Sequence, residues 1–487
     1  MATRLSKSRY VAGLQCPKRL YLEIHARELA TPYDAGTQAI LDTGTHVGEL
    51  ARERYPGGAL VEVEYFKVEE GITRTAELLA DRSGAVLYEG FIAFDDVVVR
   101  PDILVRVSGN RWRLIEVKST SRVKPEHLDD LAIQAYVLTG AGLGLDATCL
   151  MHINTGYRYP GGALDLDQLF QEQDLTHAVA DRQAQIPDRL AEMRRILAAS
   201  APPAIEPDDH CFAPYECPFW AHCIQDKPAR WIYYLPGSRK AFQALSAQGV
   251  QRIDEIPAGY PLQFVQQRVK DNVEWIGPGL RRALASVQYP VHHLDFETLG
   301  SAIPLYPNTR PYQAVPFQWS NHIETVDGAL RHEAYLCPDA RDPREELAIA
   351  LLRSVEHAGS ICTYSSYERA VLTGLAETLP HLRRDLLRLC DRLWDLLPII
   401  KAHYYHPDFA GSYSIKAVLP AMAPHLAYAD LEIQEGTLAS VEFSRMVFDD
   451  LDLAEQARIR SALLNYCARD TLAMVELRKA LRAKACR

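Results

Sequence analysis

Residues 99–120 read VRPDILVRVSGNRWRLIEVKST. Ser108, Gly109 and Asn110 are turn formers, and the flanks on both sides are rich in Val, Ile and Leu. The pattern predicts a β-hairpin with a three-residue loop in which Val107 faces Arg111. Counting outward, Asp102 then stands directly opposite Glu116. Cross-strand partners have Cβ atoms about 4.5–5.5 Å apart, so two carboxylates there repel unless a cation lies between them. Lys118 shares the face of Glu116, because strand side chains alternate. Two acids and a lysine on one sheet edge suit Mg²⁺ or Mn²⁺, a positioned water and a phosphate. A surface hairpin with ordinary charge pairing has the same short pattern, and that alternative stays open here.

At 487 residues, 48% of them hydrophobic, the chain is long enough for two cores and a connector. Three segments are expected. Residues 1–225 run from a short basic helix to a cysteine-spaced stretch, and 226–289 read as short helices with polar turns. Residues 290–487 open on the apolar strand YPVHHLDFE. Two more strand-like runs, 314–323 and 329–336, are joined by Val326-Asp327-Gly328, a hairpin signal. Long helical patterns fill most of 343–484. Strands feeding helices in both halves predict α/β domains with mixed sheets.

No run of about 18 apolar residues occurs, and MATRLSKSRY is no apolar leader. A cytoplasmic protein without a membrane partner is expected. The net charge of −10 argues against a general basic coat for nucleic acid. Acidic metal sites add negative charge, however, and basic patches can be local.

Ten cysteines without a secretory leader are expected to be reduced. Cys211, Cys217 and Cys223 are evenly spaced within HCFAPYECPFWAHC, and Cys16 lies far upstream in LQCPKRLYLE. Four thiolates suit an iron–sulfur cluster or a structural zinc. Zinc sites usually carry tight Cys-x-x-Cys pairs, which this set lacks. Four buried thiols are the other reading. Cys149, Cys337, Cys362, Cys390, Cys467 and Cys486 show no grouping and read as packing residues.

In HHLDFETLG the strand period puts Asp295 and Glu297 on one face. NYCARDTLAMVELRKAL reads as a helix with Tyr466 and Asp470 four apart on one side. SICTYSSYERAVL reads as a short strand feeding a helix that presents Glu368. Four acids converging from a strand and two helices can bind two divalent ions for attack of water on a phosphodiester, with the tyrosine orienting that water.

The order of His46, Pro101-Asp102, Glu116-Val117-Lys118 and a helix carrying Gln134 and Tyr136 resembles the RecB-type PD-(D/E)XK nucleases. The resemblance implies a restriction-endonuclease-like fold with Asp102, Glu116 and Lys118 catalytic. It implies His46 as a further metal ligand, and Gln134 and Tyr136 on the substrate side. The Gln-x-Tyr spacing is tighter than the family's Gln-x-x-x-Tyr. Cys16 with Cys211, Cys217 and Cys223 resembles the four-iron clasp of RecB-type single-strand exonucleases, including the CRISPR-associated group. The C-terminal order resembles the DEDDy branch of DnaQ-like exonucleases, which implies an RNase H-like fold using Asp295, Glu297, Glu368, Tyr466 and Asp470. The stretch LWDLLPIIKAHYYHPDFAGSYSIKAVLPAM matches the connecting region of that fold. Glu368 departs from the family's Asp, Tyr364 stands where Asn is usual, and Asp395 is the alternative fourth acid. More closely, residues 290–484 resemble an uncharacterised bacterial domain family seen fused behind RecB-like nucleases. Residues 238–257 have a helix–hairpin–helix look with Gly249 at the turn.

These resemblances together imply a metal-dependent nuclease using Mg²⁺ or Mn²⁺ and an iron–sulfur cluster. Its expected substrate is single-stranded or end-processed DNA, in repair or phage defence, with RNA possible. Two other readings stay open: a nucleic-acid-binding scaffold with a decayed site, and an RNA 3′ exonuclease.

Overall fold

The computed structural model describes residues 4–81, 83–237 and 239–486. The chain divides into two compact units, 1–226 with 301–312, and 227–300 with 313–487. Residues 227–289 therefore belong to the second unit, and a short stretch of the C-terminal segment belongs to the first. Both units are α/β with mixed sheets. No helix among the described residues is long and apolar enough to cross a membrane.

The first unit starts with helices α1 (Lys7–Gln15), α2 (Pro17–His25) and α3 (Ala35–Arg52). Its main sheet runs in spatial order β1 (Ala59–Leu60), β2 (Val86–Tyr88), β3 (Ile103–Ser108), β4 (Arg111–Lys118), β5 (Gly144–Ile153) and β6 (Phe170–Asp174). β2, β3 and β4 are antiparallel neighbours. β5 lies parallel to β4, reached through helix α4 (Pro125–Gly140). Pro125 opens α4 at a position whose N–H has no helical partner anyway.

Ile103 pairs with Ile115, which carries Asp102 opposite Glu116. The turn itself differs from expectation. Ser108, not Val107, pairs with Arg111, so the loop is Gly109-Asn110 and Val107 is bulged out. Gly109 takes φ +52°, in the left-handed region. The Arg106 guanidinium lies over the Trp112 ring at 4.1 Å and holds that pair, so the bulge stays confined to the turn. Along β4, Leu114 joins one core with Leu104, Leu131 and Ile133. Ile115 and Val117 join the other, with Val47 and Met151. Glu116 consequently faces the side of α1 and α4.

In the second unit, β7 (Val291–Leu299), β8 (Val315–Glu324), β9 (Leu330–Leu336), β10 (Ser360–Thr363) and β11 (Leu393–Asp395) lie in spatial order β9-β8-β7-β10-β11. β7, β8 and β9 form an antiparallel meander, and β10 and β11 add in parallel beyond β7. The β8–β9 turn carries Gly328 at φ +86°. Helix α5 (Tyr367–Thr378) follows β10, and α6 (Leu396–His403) follows β11. Then come α7 (Ile415–Met422), α8 (Gly436–Phe448) and the long α9 (Leu453–Ala485), capped by Asp452.

Leu294 and Phe296 pack with Leu347, Leu372 and Leu375 on one side of the sheet. The other side of β7 and β8 meets α9 through a buried polar layer. Thr471 bonds to Ser320 and His322 at 2.8 Å each, and Arg478 pairs with Glu324. Buried hydrogen-bonded networks of this kind allow few rotations of a helix. This one turns Tyr466, Cys467 and Asp470 toward β7. The expected helix–hairpin–helix does not form. After the helix Arg239–Ser246 and Gly249, the chain makes only the 3-10 turn Ile253–Glu255. Pro257 disfavours helix in the residue before it and ends the segment.

Candidate metal centres

The first unit gathers Asp102, Glu116, Lys118 and Gln134, as expected, and adds Lys7 from α1 and Asp130 from α4. Lys118 Nζ donates to Glu116 Oε1 and Asp130 Oδ2, each at 2.6 Å. Lys7 Nζ donates to the same Glu116 oxygen at 2.6 Å and pairs with Asp130 at 3.4 Å. Gln134 Nε2 donates to Glu116 at 2.8 Å and Asp130 at 3.1 Å, while its own Oε1 is buried without a hydrogen-bond partner. Asp102 Oδ2 accepts from the Val117 backbone N–H at 2.6 Å. Burial, and then the neighbouring Glu116 charge, pushes Asp102 up to about 8. Burial acts upward on Glu116 too, but Lys118 and Lys7 outweigh it and hold that carboxyl below its usual range.

Two expected members form no hydrogen bond with this cluster among the described residues. His46 is exposed on α3 and forms no hydrogen bond or ion pair with the cluster among the described residues. Its neighbours Val47 and Ala51 pack with Ile115 and Val117, the sheet face away from Glu116. Tyr136 donates to Asp95 at 3.0 Å. Two positions along a helix is more than half a turn, so Gln134 and Tyr136 leave α4 in different directions.

The two lysines already neutralise much of this site, so a divalent cation must compete with them. Lys7→Met is expected to destabilise the metal-free protein by on the order of 3 kcal/mol, as breaking a buried pair does. The same variant should gain more melting temperature from Mn²⁺ than wild type does. Thermal unfolding in chelator and in Mn²⁺ measures both, and equal Mn²⁺ gains would refute the competition.

Cys16, Cys211, Cys217 and Cys223 line one small pocket with Lys18, Arg19 and Phe219. All four are free thiols, three of them buried. Burial pushes Cys217 up to about 11. The sulfurs are spread. Among the described residues, the group of three or more ligand atoms that converges within 4.8 Å is Asp295, Glu297 and Cys467, none of it from this pocket. Tetrahedral zinc, with Zn–S of about 2.3 Å, needs sulfurs about 3.8 Å apart. No three of these sulfurs converge to that spacing, and Arg19 and Lys18 beside them only partly offset the burial that raises Cys217 and Cys223.

In the second unit, Asp295 and Glu297 come from β7, Glu368 from the first turn of α5, and Tyr466 and Asp470 from α9. Glu368 accepts from Ser365 Oγ at 3.5 Å and lies near Asp295, whose carboxyl its charge helps to push up. Asp470 accepts from the Tyr428 hydroxyl, and Tyr466 stands one helical turn before it on α9. Asp395 caps α6, accepting from the Leu397 N–H at 2.9 Å. Tyr364 donates to the Tyr413 carbonyl at 3.0 Å. Burial, followed by neighbouring carboxylates, raises Asp295 and Glu297 well above the usual range. Burial, then Asp395, pushes Glu368 up to about 7. Asp470 is pushed up to about 6 by burial, against the pull of its tyrosine partners.

Among the described residues, no Lys or Arg forms an ion pair with Asp295, Glu297, Glu368 or Asp470. Lys416 on α7 lowers Glu297 and Asp470 only from a distance. Buried like charges without a cationic partner are costly, and a divalent cation removes that cost. The donor set fits Mg²⁺ or Mn²⁺.

Cys467 is corrected from packing residue to site residue: its thiol donates to Asp295 Oδ2 at 3.7 Å. Cys486 is exposed and packs no core. Sequence reasoning also missed Lys7, Asp130 and Tyr428. Asp130 stands one helical turn before Gln134 and could have been found by that spacing; Lys7 and Tyr428 carry no local signal.

Residues 292–414 match a domain family of unknown function, DUF2779. The match holds Asp295, Glu297, Glu368 and Asp395 and ends before Tyr466 and Asp470. No curated protein matches the chain.

Proposed function

We propose that this protein is a metal-dependent nuclease with two acidic centres, a PD-(D/E)XK centre in the first unit and a DEDDy exonuclease centre in the second. The observation that carries the proposal is the meeting of Asp295, Glu297, Glu368, Tyr466 and Asp470, drawn from a strand and two helices, with no cation among the described side chains paired to the acids. Support for an RNase H-like second unit comes from its sheet, an antiparallel meander extended by two parallel strands. The β2–β3–β4 meander followed by α4 and a parallel β5 likewise supports the restriction-endonuclease-like reading of the first.

A divalent cation bound by the four acids would supply Lewis-acid stabilisation of phosphate charge and a lower pKa for water. The protein's own part is orientation. Tyr428 fixes Asp470, Ser365 fixes Glu368, and the α9 polar layer holds the helix over β7. Tyr466 keeps a hydroxyl beside the acids, where it can align an attacking water. In the first unit, Gln134 orients Glu116, and Lys118 offers charge for a scissile phosphate.

The test is hydrolysis of end-labelled single- and double-stranded DNA and RNA in Mn²⁺ or Mg²⁺, against a chelated control. DNA cleavage abolished by chelator is expected, and absence of metal-dependent cleavage of every substrate would sink the proposal. The four-cysteine pocket is read as the seat of a four-iron cluster that ties α2 to the end of the unit. Protein purified without oxygen should be brown, and Cys217→Ala should lose both colour and solubility, because a structural cluster contributes folding energy. A colourless, folded wild type holding zinc there would overturn the iron assignment.

A further inference from the structure

We infer that the C-terminal centre is a mixed thiolate–carboxylate site in which Cys467, with Asp295 and Glu297, takes a thiophilic divalent cation such as Zn²⁺. The inference rests on the reading of this centre as a metal site and adds a ligand and a metal class to it. Hard all-oxygen sites favour Mg²⁺ and Mn²⁺, whereas a sulfur donor shifts preference toward zinc.

Three observations carry it. One ligand atom each from Asp295, Glu297 and Cys467 lies within 4.8 Å of the others. Tetrahedral zinc with Zn–S of about 2.3 Å and Zn–O of about 2.0–2.2 Å puts sulfur and oxygen about 3.6 Å apart. Cys467 Sγ and Asp295 Oδ2 are already 3.7 Å apart. Second, Glu297 is only 7% exposed, yet its carboxylate forms no hydrogen bond or ion pair among the described residues. Buried carboxylates are normally paired, and this one is aimed at the thiol and Asp295. Third, Cys467 is 0% exposed and shares the inward face of α9 with Tyr466 and Asp470. Among the described residues its thiol bonds to the carboxylate and carbonyl of Asp295 alone. Thiol–thiol exchange or oxidation by a bulky reagent is thereby disfavoured, while a small cation needs no large opening.

Zinc held by Cys467 would compete with Mg²⁺ or Mn²⁺ for Asp295 and Glu297. The centre is therefore expected to be inhibited by low Zn²⁺ in the presence of activating Mn²⁺. The probes are Cd²⁺, whose bond to sulfur gives an ultraviolet charge-transfer band, and Zn²⁺ in competition with a chromophoric chelator. Full-length wild type is compared with Cys467→Ser and Glu297→Gln. Both variants keep the four clustered cysteines, so the difference spectrum reports Cys467 alone. Cys467→Ser should lose one sulfur–cadmium equivalent and weaken Zn²⁺ by no less than the roughly 10–100-fold typical of losing a mere supporting partner of a ligand. Its Mn²⁺ affinity should change little. Glu297→Gln should weaken Zn²⁺ while keeping the band, which guards against misfolding of the cysteine variant. An unchanged band and unchanged Zn²⁺ affinity in Cys467→Ser would overturn the inference even if hydrolysis in Mn²⁺ is intact. Conversely, a Cys467-dependent band in a protein that cleaves nothing would defeat the nuclease reading and leave this site standing.

Discussion

Asp470→Asn is expected to lower hydrolysis by the C-terminal centre at least about 100-fold, the upper end of what even supporting partners of a metal ligand cost, while Asp102→Asn leaves that activity unchanged. Asn keeps the shape that accepts the Tyr428 hydroxyl but removes the charge offered to a cation. Tyr466→Phe should slow the reaction less than Asp470→Asn does, because Tyr428 still holds Asp470. Asp102 belongs to the other compact unit, which has its own core and its own lysines paired with Glu116 and Asp130. The measurement is a time course on 3′-labelled strands, 5′-labelled strands and closed circles for each single variant and the double. An exonuclease needs an end, so circles should resist Asp102→Asn. If circles are still cut by that variant, the C-terminal centre is an endonuclease. Loss of all hydrolysis in Asp102→Asn would mean that the centres are not independent. Wild-type behaviour of Asp470→Asn on every substrate would leave the N-terminal centre as the enzyme.

The parts of both sites that lie on strands were legible because a strand has a period of two and few ways to be wrong. Asp295 and Glu297 had to share a face once HHLDFE was read as a strand, and Ile103–Ile115 pairing followed from turn residues near the middle of the hairpin. The one-residue bulge at Val107 was invisible, since Gly109-Asn110 and Ser108-Gly109-Asn110 are equally good turns. Its consequence stayed local. Partners that arrive from distant helices were harder. Nothing around Lys7 marks it as the companion of Glu116, over a hundred positions away. Tyr136 was placed by a family spacing it does not keep, and helical geometry sends it to Asp95 instead. Cys467 shows a different failure: it was set aside because cysteines were sorted by their spacing to each other rather than to acids. The helix reading already put it beside Tyr466 and Asp470.

The stabilisation of the protein by Mn²⁺ should grow steeply between pH 5 and pH 8. Glu368, pushed up to about 7, and Asp470, pushed up to about 6, both bind protons more tightly in the fold than in the unfolded chain. Their contribution to stability is present in full below the ordinary carboxylate range near 4 and is lost as pH rises through 6 to 7. At pH 5 these protons already relieve the repulsion among Asp295, Glu297, Glu368 and Asp470, and a cation has to displace them to bind. By pH 8 the protons are gone, the metal-free site is at its most repulsive, and the ligands are ready. The buried His292 and His322, each held down to about 4 by burial, pull the other way. Neutral in the fold, they contribute stability above about 6.5 that falls away as the medium becomes acidic. Comparing Mn²⁺ with chelator at one pH cancels them. At about 100 times its dissociation constant an ion adds about 2.7 kcal/mol, which for a unit of this size is about 5–10 °C. That gain is expected at pH 8 and should shrink to a small fraction of itself at pH 5. Glu368→Gln should raise the melting temperature in chelator at pH 8, by removing one repelling charge, and should flatten the pH dependence of the Mn²⁺ gain. A gain that is equal at pH 5 and pH 8 would mean that these carboxyls are not the ones the cation meets.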